Sequence, residues 1–413
     1  MKLVVVGNGM GSVRLLEHLA EGGHDHEIVV LSEESNPGYN RIQLSRLLAG
    51  SIGREAIELH SEGWYQEHGI SLLSGSGYRV TDIDRELKQV ETADGTRHSY
   101  DKLILATGSL SVSIPVNGSD LKGILFFRQL EDVDTMLEAS RQPDASAVVI
   151  GGGLLGLECA SGLVKRGMSV TVVDNSATLL GRQLDGTAGN MLRRELESRG
   201  IAFRCSARLQ QFTGGRDADS KGVVRQVEII NEYDQPECLD ASLVVVAAGV
   251  RPNITLMQAA GLACDRGVLV NEWMQTSDPE ILAFGECVQL RNSLFGLVAP
   301  VYEQAYVVSE QLLGRQSREF VPVPIPTSLK VDGIDLFSCG EFVAAEGDEE
   351  LLVDARQYGV YRKIVIRDNR IKGVLLYGDV SDGLWYQTLM TRADDVSLFR
   401  QCLIFGQRFL PAA

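Results

Sequence analysis

Gly151, Gly153 and Gly156 stand in the stretch VVIGGGLLGLECA (residues 148–160), where an apolar run enters a glycine turn and then a helical pattern. The spacing is G-x-G-x-x-G. The first glycine permits a tight turn, the second lets a pyrophosphate approach the backbone, and the third lets the helix pack closely on its strand. The helix N-terminus then aims unpaired N–H groups and its positive dipole end at the phosphates. Asp174 closes the next apolar run, VTVVDNS. A carboxylate at that spacing accepts hydrogen bonds from a free ribose 2′-hydroxyl and repels a 2′-phosphate. No arginine follows at Asn175 or Ser176, so NADH is expected over NADPH.

The same arrangement opens the chain in LVVVGNGMGSVRLL (residues 3–16), where Gly7 and Gly9 hold the first two glycine positions. Ser12 takes the third, preceded by Gly11, and serine is small enough for close packing. Glu33 follows the next apolar run at the spacing of a ribose-binding acid. Two dinucleotide sites on one chain suit a tightly held flavin dinucleotide, FAD, beside an exchanging nicotinamide dinucleotide, with hydride passing between the two rings.

These residues require two βαβ units. Residues 2–6 read as a buried parallel strand, 12–21 as a helix and 27–31 as a second strand. The pattern restarts after the turn-rich RQPDAS (141–146), with a strand at 147–150, a helix at about 155–166 and a strand at 169–173. LILATGS and LVVVAAGV echo one another as apolar runs ending in small residues. GGRDADSKG (214–222) suits an exposed hairpin loop, and the proline-rich VPVPIP (321–326) begins a further unit. Beyond it, YRKIVI and IKGVLLYG suggest an antiparallel sheet packed with helices. The fold class is α/β: two Rossmann-like dinucleotide-binding domains plus a C-terminal α+β domain.

The net charge of −16 argues against nucleic acid or an anionic membrane as the main partner. No segment approaches the ~20 apolar residues that span a bilayer. The opening apolar run is too short for a signal-peptide core, so a cytoplasmic location is expected. The seven cysteines form no CxxC or other close pair, and no zinc or iron–sulfur ligand set is present in the sequence. His24 and His26 in HDH read as part of a polar turn, not a metal site.

With YDKLILATGS, AAGVRPN and ILAFGEC added to the two turns, the chain resembles the two-dinucleotide flavoproteins of glutathione-reductase-like fold. GYNRIQLS, GGGLLGLE, GLVAPVYEQA and TSLKVDGIDLFSCGEF narrow the likeness. They resemble the FAD/NADH part of bacterial assimilatory nitrite reductase large subunits and the electron-transfer subunit of assimilatory nitrate reductase. The resemblance implies an FAD-binding domain over 1–115 and 246–320, an NADH-binding domain over 116–245 and the α+β domain over 321–413. It places Gly7, Gly9 and Glu33 on the adenosine diphosphate side of FAD, Val80 at adenine, and Arg41, Ser45 and Arg128 near the cofactor. Thr107, Gly108, Gly249, Gly285 and Glu286 fall in the family's ATG and Gly-Asp loops, with glutamate replacing the usual aspartate. Arg46 stands where rubredoxin- and ferredoxin-reductase relatives often carry lysine. Glu158 matches a residue near the nicotinamide carboxamide and Glu303 one near the flavin ring; the alternative for each is an ordinary helix-surface acid.

Disulfide reductases of this fold carry a CxxxxC pair in the segment that here reads GYNRIQLSRLLAG, and the first cysteine of this chain is Cys159. Reduced flavin is therefore expected to pass electrons to a separate protein with a one-electron centre. A nitrate or nitrite reductase catalytic subunit is the first expectation and a rubredoxin or ferredoxin the alternative. A flavin-bound redox sensor is a third. Hydride transfer needs no side-chain nucleophile, only nicotinamide C4 within about 3–3.5 Å of flavin N5.

Overall fold

The structure is a computed structural model that describes residues 1–215, 222–315, 318–323, 325–327, 329 and 331–410. The chain divides into two compact units. One comprises Met1–Gln43, Gly53–Ser111 and Val250–Pro322, the other Leu44–Ile52, Val112–Gly249 and Val323–Ala413.

The first unit is built on a five-stranded parallel sheet ordered Ile281–Ala283, Lys102–Leu105, Lys2–Val6, Glu27–Ser32 and Ile70–Ser74. Its strands are near-continuous runs of valine, leucine and isoleucine, as a sheet covered on both faces requires. Leu3, Val4, Ile28, Val30, Leu103 and Ile104 are wholly buried. The helix Met10–Gly22 follows the first strand and packs on the helix Val298–Leu312. Between Ile70–Ser74 and Lys102–Leu105 the chain forms a three-stranded antiparallel sheet of Val80–Asp84, Gln89–Thr92 and Arg97–Ser99.

The second unit repeats this plan. Its parallel sheet is ordered Ile201–Arg204, Ser169–Val173, Ser146–Ile150, Leu243–Val246 and Ile124–Phe126. The crossover before Leu243–Val246 again carries three antiparallel strands, Arg208–Gly214, Val224–Ile230 and Pro236–Asp240. The duplication thus includes the antiparallel insert as well as the glycine turns. The hairpin loop expected at 214–222 lies mostly outside the described residues, at 216–221.

The registers of the two turns coincide. Val6 lies opposite Leu31, and Ile150 opposite Val173. Gly7 N donates to Leu31 O and Gly151 N to Val173 O, each at 2.8 Å. Both glycines have positive φ, +102° and +121°. A Cβ at Gly7 would stand 2.5 Å from Ala106 O, and one at Gly151 would stand 2.5 Å from Ala247 O.

Two further parts belong to the second unit. The short helix Leu44–Leu48 is tied to the helix Leu154–Lys165 region by Arg166, which donates to Leu48 O at 2.5 Å and Leu47 O at 3.1 Å. The C-terminal residues form a four-stranded antiparallel sheet ordered Leu336–Gly340, Arg370–Tyr377, Val360–Arg367 and Glu349–Ala355. The helix Gly383–Arg392 covers it over a core of Phe337, Ile364, Val374, Leu376 and Tyr386, the α+β arrangement expected from the sequence. Tyr361 Oη donates to Asp185 Oδ2 at 2.7 Å, while Asp185 Oδ1 caps the helix Gly186–Ser198 by accepting from Ala188 N. No helix among the described residues is long and apolar enough to cross a membrane.

The turn glycines separate into two classes that thermodynamics can distinguish. Gly7→Ala and Gly151→Ala meet both a positive φ and a carbonyl oxygen, and each is expected to destabilise the chain by about 3 kcal/mol or more. Gly9→Ala and Gly153→Ala, whose φ values are −77° and −79°, are expected to leave stability within about 1 kcal/mol. Urea unfolding of the four variants measures the difference.

Candidate functional site

At each turn the second glycine ends the loop and begins the helix. Gly9 is the N-cap of Met10–Gly22 and Gly153 the N-cap of Leu154–Lys165, and neither helix has a side-chain cap. A Cβ added at either glycine would meet nothing within 4 Å. Each helix therefore presents its first N–H groups to an open space at the end of a parallel sheet. That combination suits a pyrophosphate.

The third position differs between the turns. Gly156 lies so close to the preceding loop that a Cβ would be 2.0 Å from Gly151 O. Ser12 has the same spacing from Gly7. It is 1% exposed, and its Oγ has no hydrogen-bond partner. Close helix packing in the first unit falls instead on Gly11, where a Cβ would lie 2.6 Å from Val301 Cγ1 and 3.0 Å from Phe284 Cε2. Ser45, on the helix Leu44–Leu48, likewise buries an unpartnered Oγ. Orphaned buried hydroxyls are uncommon and call for an added partner such as a ligand.

The acids after the second strands are out of step. Counted from the paired registers, the residue matching Asp174 is Ser32, and Glu33 lies one position further on. Asp174 folds back on its own turn: Oδ2 accepts from Gly152 N, and Oδ1 accepts from Ser176 N at 2.6 Å. Glu33 points outward, with its carboxylate 3.8 Å from Arg79 Nε. Its neighbour Glu34 is the engaged acid. It accepts from Tyr39 Oη at 2.7 Å and from Arg41, whose guanidinium lies over the Tyr39 ring. Burial alone would lower the Arg41 pKa, but Glu34, Tyr39 and Glu286 outweigh it and hold the cation firmly charged.

The loops after Lys102–Leu105 and Ile281–Ala283 converge within the first unit. Thr107 Oγ1 donates to Asn253 O at 2.8 Å, and Asn253 N donates to Gly108 O at 3.0 Å. Ser109 Oγ donates to Glu286 Oε2 at 2.5 Å. Gly285 N donates to Gln304 Oε1 at 2.8 Å, while the Gln304 Nε2 is buried without a partner. Gln304 escaped the sequence reading. Its signal was a polar residue on the buried face of Val298–Leu312, among Val301, Ala305 and Val308. Glu303, one residue earlier, is largely exposed and paired with Arg318, which also covers the Tyr306 ring. Val80 is buried at the start of its antiparallel strand.

The remaining candidates belong to the second unit. Glu158 is half-buried on Leu154–Lys165, and Arg128 lies just before the helix Leu130–Ala139, with its N–H held by Asp132. Gly249, at φ +107°, accepts from Val112 N. Arg46 is exposed. Together with Lys165, the stronger influence, it holds the Asp332 carboxyl below its ordinary range. Among the described residues no group of three His, Cys, Asp or Glu side chains is placed to hold a metal ion.

A family model for pyridine nucleotide-disulphide oxidoreductase matches residues 1–311. The chain belongs to this family. The oxidoreductase fold is followed by a match to the rubredoxin NAD+ reductase C-terminal domain over residues 325–394. The chain is 40% identical to a nitrite reductase [NAD(P)H] of Bacillus subtilis, over 96% of this chain and 48% of that one. It is 38% identical to the assimilatory nitrate reductase electron transfer subunit of the same organism, over 98% of this chain and 51% of that one. This chain thus spans about half the length of both relatives. A rubredoxin-NAD(+) reductase of Pseudomonas putida is 33% identical over 79% of this chain and 82% of its own. Among solved structures, the covalent putidaredoxin reductase–putidaredoxin complex matches at TM-score 0.84 and 27% identity, over 95% of this chain and 94% of that one. The family's cofactors are FAD and NAD(P)H, and the two uncapped helix starts and the orphaned Ser12 hydroxyl fit such groups.

The disulphide of the family name has no counterpart in the thiols described here. All seven cysteines are free. Burial pushes Cys287 and Cys339 up to about 11 and raises Cys159 further. A thiol so buried stays protonated at neutral pH and is a poor redox nucleophile. Alkylation with iodoacetamide at pH 8 is expected to modify exposed Cys238 and to leave Cys159 and Cys287 intact in the folded protein. Peptide mapping by mass spectrometry reads the pattern, and rapid labelling of Cys287 would contradict it.

Proposed function

We propose that this chain is an FAD-containing NADH oxidoreductase that delivers electrons to a separate protein. The observation that carries the reading is a pair of open glycine turns on like-built sheets, in a chain whose residues 38–50 contain no cysteine. The chemistry supplied by bound FAD is two-electron uptake from NADH and one-electron release, which no side chain here provides.

The chain's own residues bind and orient. In this reading Gly7, Gly9 and Ser12 receive the FAD pyrophosphate. Glu33 takes the ribose and Val80 the adenine. Thr107, Gly108, Gly285 and Glu286 frame the flavin side, with Arg41, Ser45 and Arg128 adding contacts. Gly151, Gly153 and Gly156 receive the second pyrophosphate, Asp174 selects a free 2′-hydroxyl, and Gly249 shapes the loop after Leu243–Val246. Glu158 and Glu303 orient the nicotinamide and flavin ends, and Arg46 supplies positive charge. The domain assignment follows: FAD over 1–115 and 246–320, NADH over 116–245, and an α+β domain at 321–413.

The first-ranked acceptor is an assimilatory nitrate or nitrite reductase centre, favoured by the two Bacillus relatives. The rubredoxin-reductase match over 325–394 supports the alternative of a rubredoxin or ferredoxin. A cytoplasmic location accompanies either reading.

Anaerobic NADH is expected to bleach the visible flavin band of the purified protein, with NADPH at least about tenfold less effective. A panel of acceptors then ranks the partners: nitrate and nitrite reductase catalytic subunits, rubredoxin and ferredoxin. Colourless protein that takes up no FAD would end the proposal, and fast reduction by NADPH alone would end the NADH assignment.

A further inference from the structure

We propose that Gly152, the residue between the two leading glycines of the second turn, is a specificity-determining residue. By lacking a Cβ it leaves room for the Asp174 carboxylate to lie on the turn, and so selects a dinucleotide with a free 2′-hydroxyl. The inference rests on reading the second turn as the nicotinamide dinucleotide site.

The backbone does not demand glycine at this position. Gly151 beside it has a positive φ, and Gly152 does not. What demands glycine is the side chains around it. A Cβ on residue 152 would lie 2.9 Å from Asp174 Oδ2, 3.3 Å from Asp174 Cβ and 2.9 Å from Leu179 Cδ2. The same carboxylate oxygen accepts from Gly152 N, and its partner oxygen accepts from Ser176 N. These two bonds fix the carboxylate beside the helix start while leaving acceptor lone pairs free, since each carboxylate oxygen accepts more than one hydrogen bond.

The first turn serves as an internal comparison. Asn8 holds the place of Gly152, and its buried side chain is hydrogen-bonded to Tyr65 Oη at 3.2 Å. Ser32 holds the place of Asp174. Where the turn carries a side chain, the strand ends in a small neutral residue. Where the turn is bare, the strand ends in an acid folded upon it. The two differences go together, as expected if the bare position exists to admit the acid. The three atoms nearest a methyl at residue 152 all belong to side chains: the ends of Asp174 and Leu179 at 2.9 Å, and the Asp174 Cβ at 3.3 Å. The expected response is rotation of the Asp174 carboxylate off the turn, with a small give at its Cβ. Both the acceptor for a 2′-hydroxyl and the repulsion of a 2′-phosphate then weaken.

The test uses the full FAD-loaded chain and titration calorimetry with two probes, ADP-ribose and its 2′-phosphate. The unaltered protein is expected to prefer ADP-ribose, and Gly152→Ala to reduce that preference by about fivefold or more. Gly152→Ala combined with Leu179→Ala removes the second crowding contact and is expected to show the same reduction. Asp174→Asn is expected to reduce the preference too, and Gly152→Ala is then expected to add nothing in the Asp174→Asn background, because coupled residues are not additive. An unchanged preference in both Gly152 variants, with Asp174→Asn still lowering it, overturns the role of Gly152 and leaves the site intact. No binding of either probe to the unaltered protein overturns the reading of the second turn itself.

Discussion

Two carbonyl oxygens govern this molecule. Ala106 O and Ala247 O each approach a turn glycine so closely that no Cβ fits. That approach locks the end of the middle strand of each sheet, Lys2–Val6 or Ser146–Ile150, to the end of its neighbour, Lys102–Leu105 or Leu243–Val246, and it decides where the following helix begins. Because the helix starts there, its free N–H groups emerge at the carboxyl end of the sheet, where the loops at Thr107–Ser109 and Gly249 also emerge. Positive φ and the short contact cost conformational freedom, and the parallel ladders on either side hold them in place.

One geometric device therefore appears twice, and small changes at its margins give the copies different characters. The first copy carries Asn8 and Ser32 and buries an unpartnered hydroxyl at Ser12. The second carries Gly152 and Asp174 and closes its helix on Gly156. The turn that lacks a third glycine has its close helix contact at Gly11, against Val301 and Phe284. The two copies differ in the residues flanking the device and agree in the strand–glycine–helix geometry.

Much of this was legible in the sequence. Buried parallel strands show as unbroken apolar runs, and a glycine after such a run marks the turn, so both βαβ units and the antiparallel C-terminal sheet could be read directly. What could not be read depends on one-residue offsets and distant partners. Glu33 and Asp174 look equivalent by spacing, yet the pairing of Val6 with Leu31 puts Ser32 at the matching place. Glu34, and not Glu33, holds Arg41, because the loop brings Tyr39 and Arg41 back onto it. Nor does local sequence show that Ser45 and Arg46 ride with the second unit. That depends on Arg166, over a hundred positions later, reaching the carbonyls of Leu47 and Leu48.

The interleaving of the two units bears on how the polypeptide matures as it leaves the ribosome. The second sheet draws its five strands from Ile124 to Val246, a stretch that lies wholly within the second unit. The first sheet starts at Lys2 but lacks its edge strand until Ile281–Ala283 has been made. The later-encoded sheet is thus complete while its predecessor still has an open edge, and nascent chains that pause between these points carry that edge unpaired, exposed to wrong strand partners.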